Sequence, residues 1–293
     1  MTRSHRGTIF LEDGKVLSHA SFTGDQHMLR IAAPQAAVRA APGQFIHLRC
    51  DDDIPMRRPL SIQRADSQGG WIEVLYKPIG PGLRALKRVH EGDRLSLLGP
   101  IGQGFRMPPE QGARCVLIGG GVGIPPLLFL AEQLAKEQVE TVAFMGSELP
   151  FPYLNQPSEF ALPTPAGATH NLSLLEDWGV PGRLASNSDL PGCYSGFVTG
   201  LAREWLKKLD DDQLKRCEIY SCGPAPMLQA TQALARDFNL PTQLCLEEYM
   251  ACAVGGCAGC AVELHTADGP AMRRVCVDGP VFDGYEVYPA APG

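Results

Sequence analysis

The rhythm of hydrophobic and polar positions changes twice along the chain. From Gly7 to about Leu98, apolar residues come in short alternating or continuous runs cut by Pro, Gly and Asp. GTIFLEDGKVLS predicts two strands around an Asp13-Gly14 turn. HMLRIAAP, QFIHLRC, WIEVLYKPI and DRLSLLGP each predict one more strand. A short stretch near Gly82–Val89 is the one helical competitor. Strands of this length and spacing predict an antiparallel β-barrel or sandwich.

At Ala113 the pattern switches. Cys115–Ile118 reads as a buried strand, Gly119–Ile124 as a glycine loop and Pro125–Leu134 as a helix with proline at its start. Thr141–Gly146 is the next strand. This unit is how parallel nucleotide-binding sheets begin. Further strands are expected at His170–Leu175 and Glu218–Ser221, helices at Leu201–Leu209 and Pro226–Phe238, and a turn at Asp211–Lys215. Pro150–Thr169 reads as a loop or lid. After Cys245 small residues and cysteines replace both rhythms. The expected organisation is therefore a barrel over residues 1–108, an α/β parallel-sheet nucleotide-binding domain over 109–243 and a small cysteine-bearing subdomain over 244–293.

Composition narrows the class. The 293 residues are 44% hydrophobic and 20% charged, which fits a globular chain of about two domains. The net charge is −6 and no basic block occurs, so no nucleic-acid partner is expected. No run of about eighteen apolar residues predicts a membrane span. MTRSHRGTIFLEDGK does not read as a signal peptide. Ten cysteines in such a chain point to a reducing compartment, the cytoplasm, and to a metal or redox role.

Four of the ten carry the clearest chemistry. Cys252, Cys257, Cys260 and Cys276 stand in the spacing C-x4-C-x2-C-x15-C, the plant-type arrangement for a 2Fe–2S cluster. Ala251, Ala253, Gly255, Gly256, Ala258 and Gly259 fill the gaps, so backbone N–H groups can point at sulfur, which raises a cluster's reduction potential. A structural zinc is the alternative, although zinc ribbons usually use two short Cys pairs. Cys50, Cys115, Cys193, Cys217, Cys222 and Cys245 have no ligand spacing and read as packed thiols.

Four weaker signals lie upstream. In Arg57-Arg58-Pro59-Leu60-Ser61-Ile62, a guanidinium fork can clamp a diphosphate and a serine can meet a flavin edge; the alternative is a surface arginine pair before a strand. In Tyr76-Lys77-Pro78-Ile79-Gly80-Pro81-Gly82-Leu83, glycines admit an anion to backbone N–H groups; the alternative is a plain Pro-Gly turn. Gly119-Gly120-Gly121-Val122-Gly123 departs from G-x-G-x-x-G and lacks the Gly-Lys-Ser/Thr of a P-loop, so it either binds a nucleotide or packs a helix on a strand. Ser221-Cys222-Gly223-Pro224-Ala225-Pro226-Met227 falls on the same carboxyl rim of the sheet, where Cys222 either faces a nicotinamide or packs.

Taken in order, RRPLS, GGGVGIPPL, YSCGPAPML and EEYMACAVGGCAGC followed by RVCVDGPVFD resemble the ferredoxin–NADP reductase superfamily, and within it the electron-transfer subunits of dihydroorotate dehydrogenase B. The resemblance covers nearly the whole chain. It implies FAD contacts at Arg58, Pro59, Leu60, Ser61, Leu75, Tyr76, Lys77, Gly82 and Leu83, and NAD(H) contacts at Gly119, Gly120, Gly121, Gly123, Cys222, Gly223, Pro224 and Met227. Cys252, Cys257, Cys260 and Cys276 would hold the cluster. It also implies an FMN-containing catalytic partner, dihydroorotate dehydrogenase, in a heterotetramer, with electrons passing between that partner and NAD. Leu83 stands where the family usually has threonine, Lys77 where arginine is common, and Trp178–Ser195 departs from the usual acidic-glycine run. Similar subunits serve sulfide dehydrogenase, hydrogenase and transhydrogenase-type complexes. A zinc-stabilised binding module is the non-enzymatic alternative. Glu148, close behind the strand Thr141–Met145 with no arginine beside it, favours NAD over NADP.

Overall fold

A computed structural model describes residues 8–108 and 112–290. Residues 1–7 of the stretch read for a signal peptide, and the far side of the expected domain junction at 108/109, lie outside the described residues.

Six strands close an antiparallel barrel in the order β1-β2-β5-β4-β3-β6. They are β1 (Phe10–Phe22), β2 (Gln26–Ala32), β3 (Phe45–Leu48), β4 (Arg58–Asp66), β5 (Trp71–Tyr76) and β6 (Arg94–Ile101). A short α1 (Pro34–Arg39) follows β2, and α2 (Gly80–Ala85) follows β5, where the sequence places a short helix. Val16, Leu29, Ile31, Ile46, Leu48, Ile62, Ile72, Val74 and Leu97 fill the interior.

The expected Asp13-Gly14 turn does not form. β1 runs straight through it for 13 residues. Its first half pairs with β6 and its second with β2, so this one strand closes the barrel. Gly14 is required by close approach rather than by a turn. A Cβ there would lie 2.4 Å from the Ala32 carbonyl oxygen and 2.5 Å from an Ile31 methyl.

The second layer is a seven-stranded sheet of order β12-β11-β8-β7-β13-β14-β17, parallel except for its last strand. Its first half contains β7 (Arg114–Gly120), α3 (Ile124–Lys136) and β8 (Glu140–Gly146). A small hairpin of β9 (Asn155–Pro157) and β10 (His170–Leu172) leads to α4 (Ser173–Asp177), then β11 (Gly182–Ser186) and β12 (Tyr194–Ser195). α5 (Val198–Leu206) and α6 (Asp211–Lys215) lead back to β13 (Cys217–Cys222), α7 (Ala225–Asp237) and β14 (Thr242–Cys245). The predicted strand at His170–Leu175 is shorter and pairs outside the main sheet, because Ser173 starts α4.

β7 has β8 on one side and β13 on the other. The chain leaves β7 in one direction and returns on the opposite side, which makes the carboxyl ends of β7 and β13 a topological switch point, the usual ligand crevice of such sheets. Beyond β14 come the cysteine loop, the hairpin β15 (Ala261–Thr266) and β16 (Gly269–Arg274), the edge strand β17 (Val281–Asp283) and α8 (Gly284–Val287). β17 ties this segment back into the sheet beside β14.

The segment after β8 is pinned to the barrel instead of hanging free. Gln26 Nε2 donates to the Pro150 carbonyl at 2.8 Å, and the buried Tyr153 hydroxyl donates to Gln63 Oε1 at 2.7 Å. Arg64 of β4 pairs with Glu132 of α3 at 3.1 Å. These contacts fix the cleft between the layers. No helix among the described residues is long and apolar enough to cross a membrane.

Candidate functional site

The cleft is walled by three parts of the chain. The barrel gives Pro59, Leu60 and Ser61 from β4, Leu75 and Tyr76 from β5, and then Lys77, Ile79 and Leu83. The sheet's switch point gives Val122, Gly123, Cys222, Gly223 and Cys245. Leu246, Glu247, Glu248 and Met250 close it from the cysteine segment. The enclosed cavity is about 140 Å³, and the rest of the cleft is open to solvent.

The two arginines that the sequence sets side by side do different things. Arg57 turns to β6, where it donates to the Ser96 carbonyl at 2.6 Å and the Ser96 hydroxyl at 2.8 Å. Arg58 folds across Gly82. A Cβ at Gly82 would lie 2.8 Å from Arg58 Nε. The Arg58 guanidinium donates to the Met56 and Arg57 carbonyls, and among the described residues it has no carboxylate partner. Lys77, on the cleft wall, has none either. Two cations without a carboxylate partner beside a glycine-bearing turn have the chemistry to take a diphosphate. Tyr76 faces inward. Nδ1 of His19 gives its hydrogen to the Val89 carbonyl (2.8 Å), so Nε2 accepts from the Tyr76 hydroxyl (2.9 Å). That anchor fixes the end of β5 and hence Lys77.

The nucleotide-side residues divide in two. Gly123, Cys222 and Gly223 reach the cleft. Gly119, Gly120, Pro224 and Met227 do not: Gly119 packs on Met145 and Leu127, and the Met227 sulfur fills the notch against Gly120 and Gly223. Gly121 has φ +56 and open space around its Cβ position. Gly123 is needed for close approach, because a Cβ there would lie 2.4 Å from the Cys222 carbonyl. Gly123→Ala is therefore expected to cost about 1–3 kcal/mol of stability and to weaken NADH binding. Chemical denaturation and a nucleotide titration of the same variant check both effects.

Cys245 lines the cleft although nothing in its sequence context marks it, and Glu247 and Met250 line it too, at the head of the EEYMACAVGGCAGC run that the sequence marks only for its cysteines. Glu247 is exposed at the mouth, yet the protein packed around its carboxyl, and next Glu248 beside it, raise that carboxyl above the ordinary range. Between the ordinary value near 4.3 and the raised one, the folded chain holds a proton that the unfolded chain has lost. Stability therefore falls as pH rises through that window, and the penalty is complete above it. Glu247→Gln removes the charge, so the variant is expected to melt higher than the parent at pH 7.5, with a smaller difference at pH 5. Melting curves at the two pH values decide it.

The cysteine loop holds its sulfurs as two pairs. Cys257 N–H donates to Cys252 Sγ (3.4 Å), and Cys276 N–H donates to Cys260 Sγ (3.5 Å). Gly259 N–H adds a bond to Cys257 Sγ at 3.4 Å. Left-handed backbone at Ala253 (φ 55), Gly255 (φ 78) and Ala258 (φ 55) turns the loop tightly. Ala253 is buried against Phe45 and Ile101 of the barrel, and Arg274 holds the Gly255 carbonyl at 3.0 Å while paired with Asp278. Burial alone would raise the Cys252 thiol. The N–H groups of Val254 and Cys257, the Cys257 thiol and the Gly256 N–H outweigh burial and bring it down to about 7. Burial, and next the Cys260 thiol, push Cys276 up to about 12.

These residues fit the groups the sequence points to. Among the described residues no three His, Cys, Asp or Glu side chains converge on one metal position, which speaks neither for zinc nor against it. Three thiols on one N–H-lined loop, with Cys276 brought beside Cys260 from beyond the β15–β16 hairpin, are the donor set of a two-iron cluster held by four cysteines. The Arg58–Gly82 cradle and the apolar wall of Leu60, Leu75 and Leu83 suit a flavin nucleotide.

Known proteins carry the same features. The profile of the iron-sulfur cluster binding domain of dihydroorotate dehydrogenase B matches residues 247–288. The chain is 36% identical over 250 residues to the dihydroorotate dehydrogenase B (NAD(+)) electron transfer subunit of Bacillus caldolyticus, covering 84% of this chain and 86% of that one. It is 33% identical over 275 residues to the subunit of the same name from Geobacillus thermodenitrificans, covering 93% and 96%. Among solved structures, the NADH-dependent reduced ferredoxin-NADP oxidoreductase superposes with a TM-score of 0.74 at 22% identity, over 94% of this chain and 89% of that one. A ferredoxin NADP+ reductase from Neisseria gonorrhoeae with bound FAD and NADP gives 0.57 at 18% identity, over 78% and 91%. At these identities the structures speak for the fold alone.

Proposed function

The chain belongs to the electron transfer subunits of dihydroorotate dehydrogenase B, and we propose on that footing that it carries electrons between an FMN-bearing catalytic subunit and NAD, in pyrimidine biosynthesis. FAD and a 2Fe–2S cluster are its resident groups. One observation carries the reading. A single short segment, Leu246–Cys252, lines the cleft with its first residues and supplies the first cysteine with its last. The cleft and the cysteine loop are thus one continuous piece of chain.

Bound FAD would exchange a hydride with a nicotinamide and single electrons with the cluster. The chain's own residues do the rest. Arg58, Lys77 and the backbone at Gly82 and Leu83 clamp the diphosphate. Pro59, Leu60, Ser61, Leu75 and Tyr76 form the flavin wall. Gly123, Cys222 and Gly223 receive the nicotinamide, while Gly119, Gly120, Pro224 and Met227 shape the rim behind it. Glu148 selects NAD by leaving an added phosphate without a cation. Cys252, Cys257, Cys260 and Cys276 hold the cluster, and the exposure of Cys257 turns it toward the partner. The division of the chain near residues 108 and 243, a heterotetramer with the catalytic subunit and a cytoplasmic location belong to the same proposal. All ten cysteines are unpaired by disulfides, which suits that compartment.

The visible spectrum of the anaerobically purified chain tests the reading. Flavin bands overlaid with cluster absorption are expected. A colourless protein with one zinc per chain would overturn it in favour of a binding module.

A further inference from the structure

Cys222 does not stand alone on the cleft wall. Cys222 and Cys245 are register partners on the adjacent parallel strands β13 and β14, at the strand ends that face the cleft, and both line it. Register partners on adjacent strands point to the same face of the sheet, so the two thiols are neighbours. Cys245 Sγ lies 3.8 Å from the Gly43 carbonyl oxygen, which can only accept. The Cys245 hydrogen is therefore committed to Gly43, leaving its sulfur to accept from Cys222. The direction this leaves open for the hydrogen-bond chain is Cys222 S–H to Cys245 Sγ, with Cys245 S–H on Gly43 O.

The far end of this chain belongs to the other layer. Gly43 sits just before barrel strand β3 and has φ +90. A Cβ there would lie 2.9 Å from a Val281 methyl and 3.0 Å from the Phe105 ring, so the carbonyl is held by its packing. The near end is held as well, by Gly123 against the Cys222 carbonyl. The two sulfurs thus link the nucleotide side of the cleft to the flavin side.

We propose that Cys245 is a positioning residue for Cys222: it draws the Cys222 hydrogen away from the cleft and anchors that sulfur to the barrel through Gly43, so that an uncharged sulfur lone pair faces the nicotinamide at a fixed distance from the flavin. This rests on the reading that the nicotinamide binds against Cys222. The neighbouring Cys245 thiol, and next burial, hold the Cys222 thiol well above its ordinary range, so the sulfur stays neutral at working pH. Cys245 touches no substrate in this account and acts only through its neighbour.

Three variants of the FAD- and cluster-loaded chain test it: Cys245→Val, which keeps the bulk and removes the donor and acceptor; Cys245→Ser, which keeps a hydroxyl in their place; and Cys222→Ala. The first readout is the infrared S–H stretch. Cys245→Val should remove one band and shift a second, that of Cys222, to the position of a free thiol. Loss of one band with no second shift would show that the thiols do not interact, and would end the proposal. The second readout is rapid-mixing reduction of the flavin by NADH. Cys245→Val should slow the limiting rate about tenfold with little change in NADH affinity, short of the roughly 10²-fold that an ångström of misplacement costs. Cys245→Ser should stay within about twofold of the parent, because it keeps the link to Gly43. Should Cys222→Ala slow reduction while Cys245→Val does not, the positioning role fails and the nicotinamide reading stands. Should Cys222→Ala change neither rate nor affinity, both fail together.

Discussion

Cys257→Ala is expected to abolish electron exchange with the catalytic partner while leaving NADH oxidation by a small-molecule dye intact. Cys257 is the exposed member of the four cysteines, whereas Cys260 and Cys276 are buried in the core that joins the loop to the barrel. Its removal therefore tests the cluster with little damage to folding. Alanine leaves no atom at that position able to bind iron. It also removes the sulfur that accepts from Gly259 N–H, so one side of the loop loses both ligand and acceptor. The proposed flavin cradle, Arg58, Lys77 and Gly82, belongs to the barrel and does not include Cys257. Cluster absorption and the reduced-cluster paramagnetic signal should disappear, and FAD should remain near one per chain. Loss of FAD together with the cluster in a folded variant would show that the two sites are not separate.

Arg58→Ala is the second large effect. Arg58 is folded over Gly82 with backbone carbonyls as partners and no carboxylate among the described residues. Its charge is therefore available to an anion. Hydrogen bonds to charged groups are worth about 1.5–3 kcal/mol, so removing the fork should weaken FAD about 10- to 150-fold. Arg58→Lys should recover part of that, since an ammonium is a point charge and cannot bond two oxygens in one plane. Arg57→Ala is the contrast. It cuts the bonds to Ser96 that clip β4 to β6, so the barrel should lose stability while the folded fraction still binds FAD. Fluorescence titration of the flavin-free chains separates the cases. Equal FAD affinity in Arg58→Ala and the parent would remove Arg58 from the site.

How much of this was legible beforehand depended on whether a signal was local. The strands ending in Pro, Gly or Asp could be read because turns and strand ends are set by neighbouring residues. β1 could not, since Asp13-Gly14 has the form of a turn and only the approach of Ala32 and Ile31 from another strand explains the glycine. β11 hid because Arg183, buried with its guanidinium on the Gly182 and Phe160 carbonyls, breaks the apolar run that marks a central strand. The pair Arg57-Arg58 gives no sign of which guanidinium is free; Ser96, far along the chain, decides it. Gly120 and Met227 both belong to recognisable motifs, yet they satisfy each other by packing. Cys245 carries no motif, and it reaches the cleft because β14 ends beside β13. The cluster loop was the most legible part, because all but one of its ligands and the small residues between them lie within nine positions.

The most direct test of the whole account is reconstitution with the FMN-bearing catalytic subunit under anaerobic conditions, followed by dihydroorotate and NAD. NADH should form only when this chain is present with both FAD and cluster, and Cys257→Ala should stop it. NADH formation by the catalytic subunit alone at the same rate, or none from the fully loaded pair, would contradict the account.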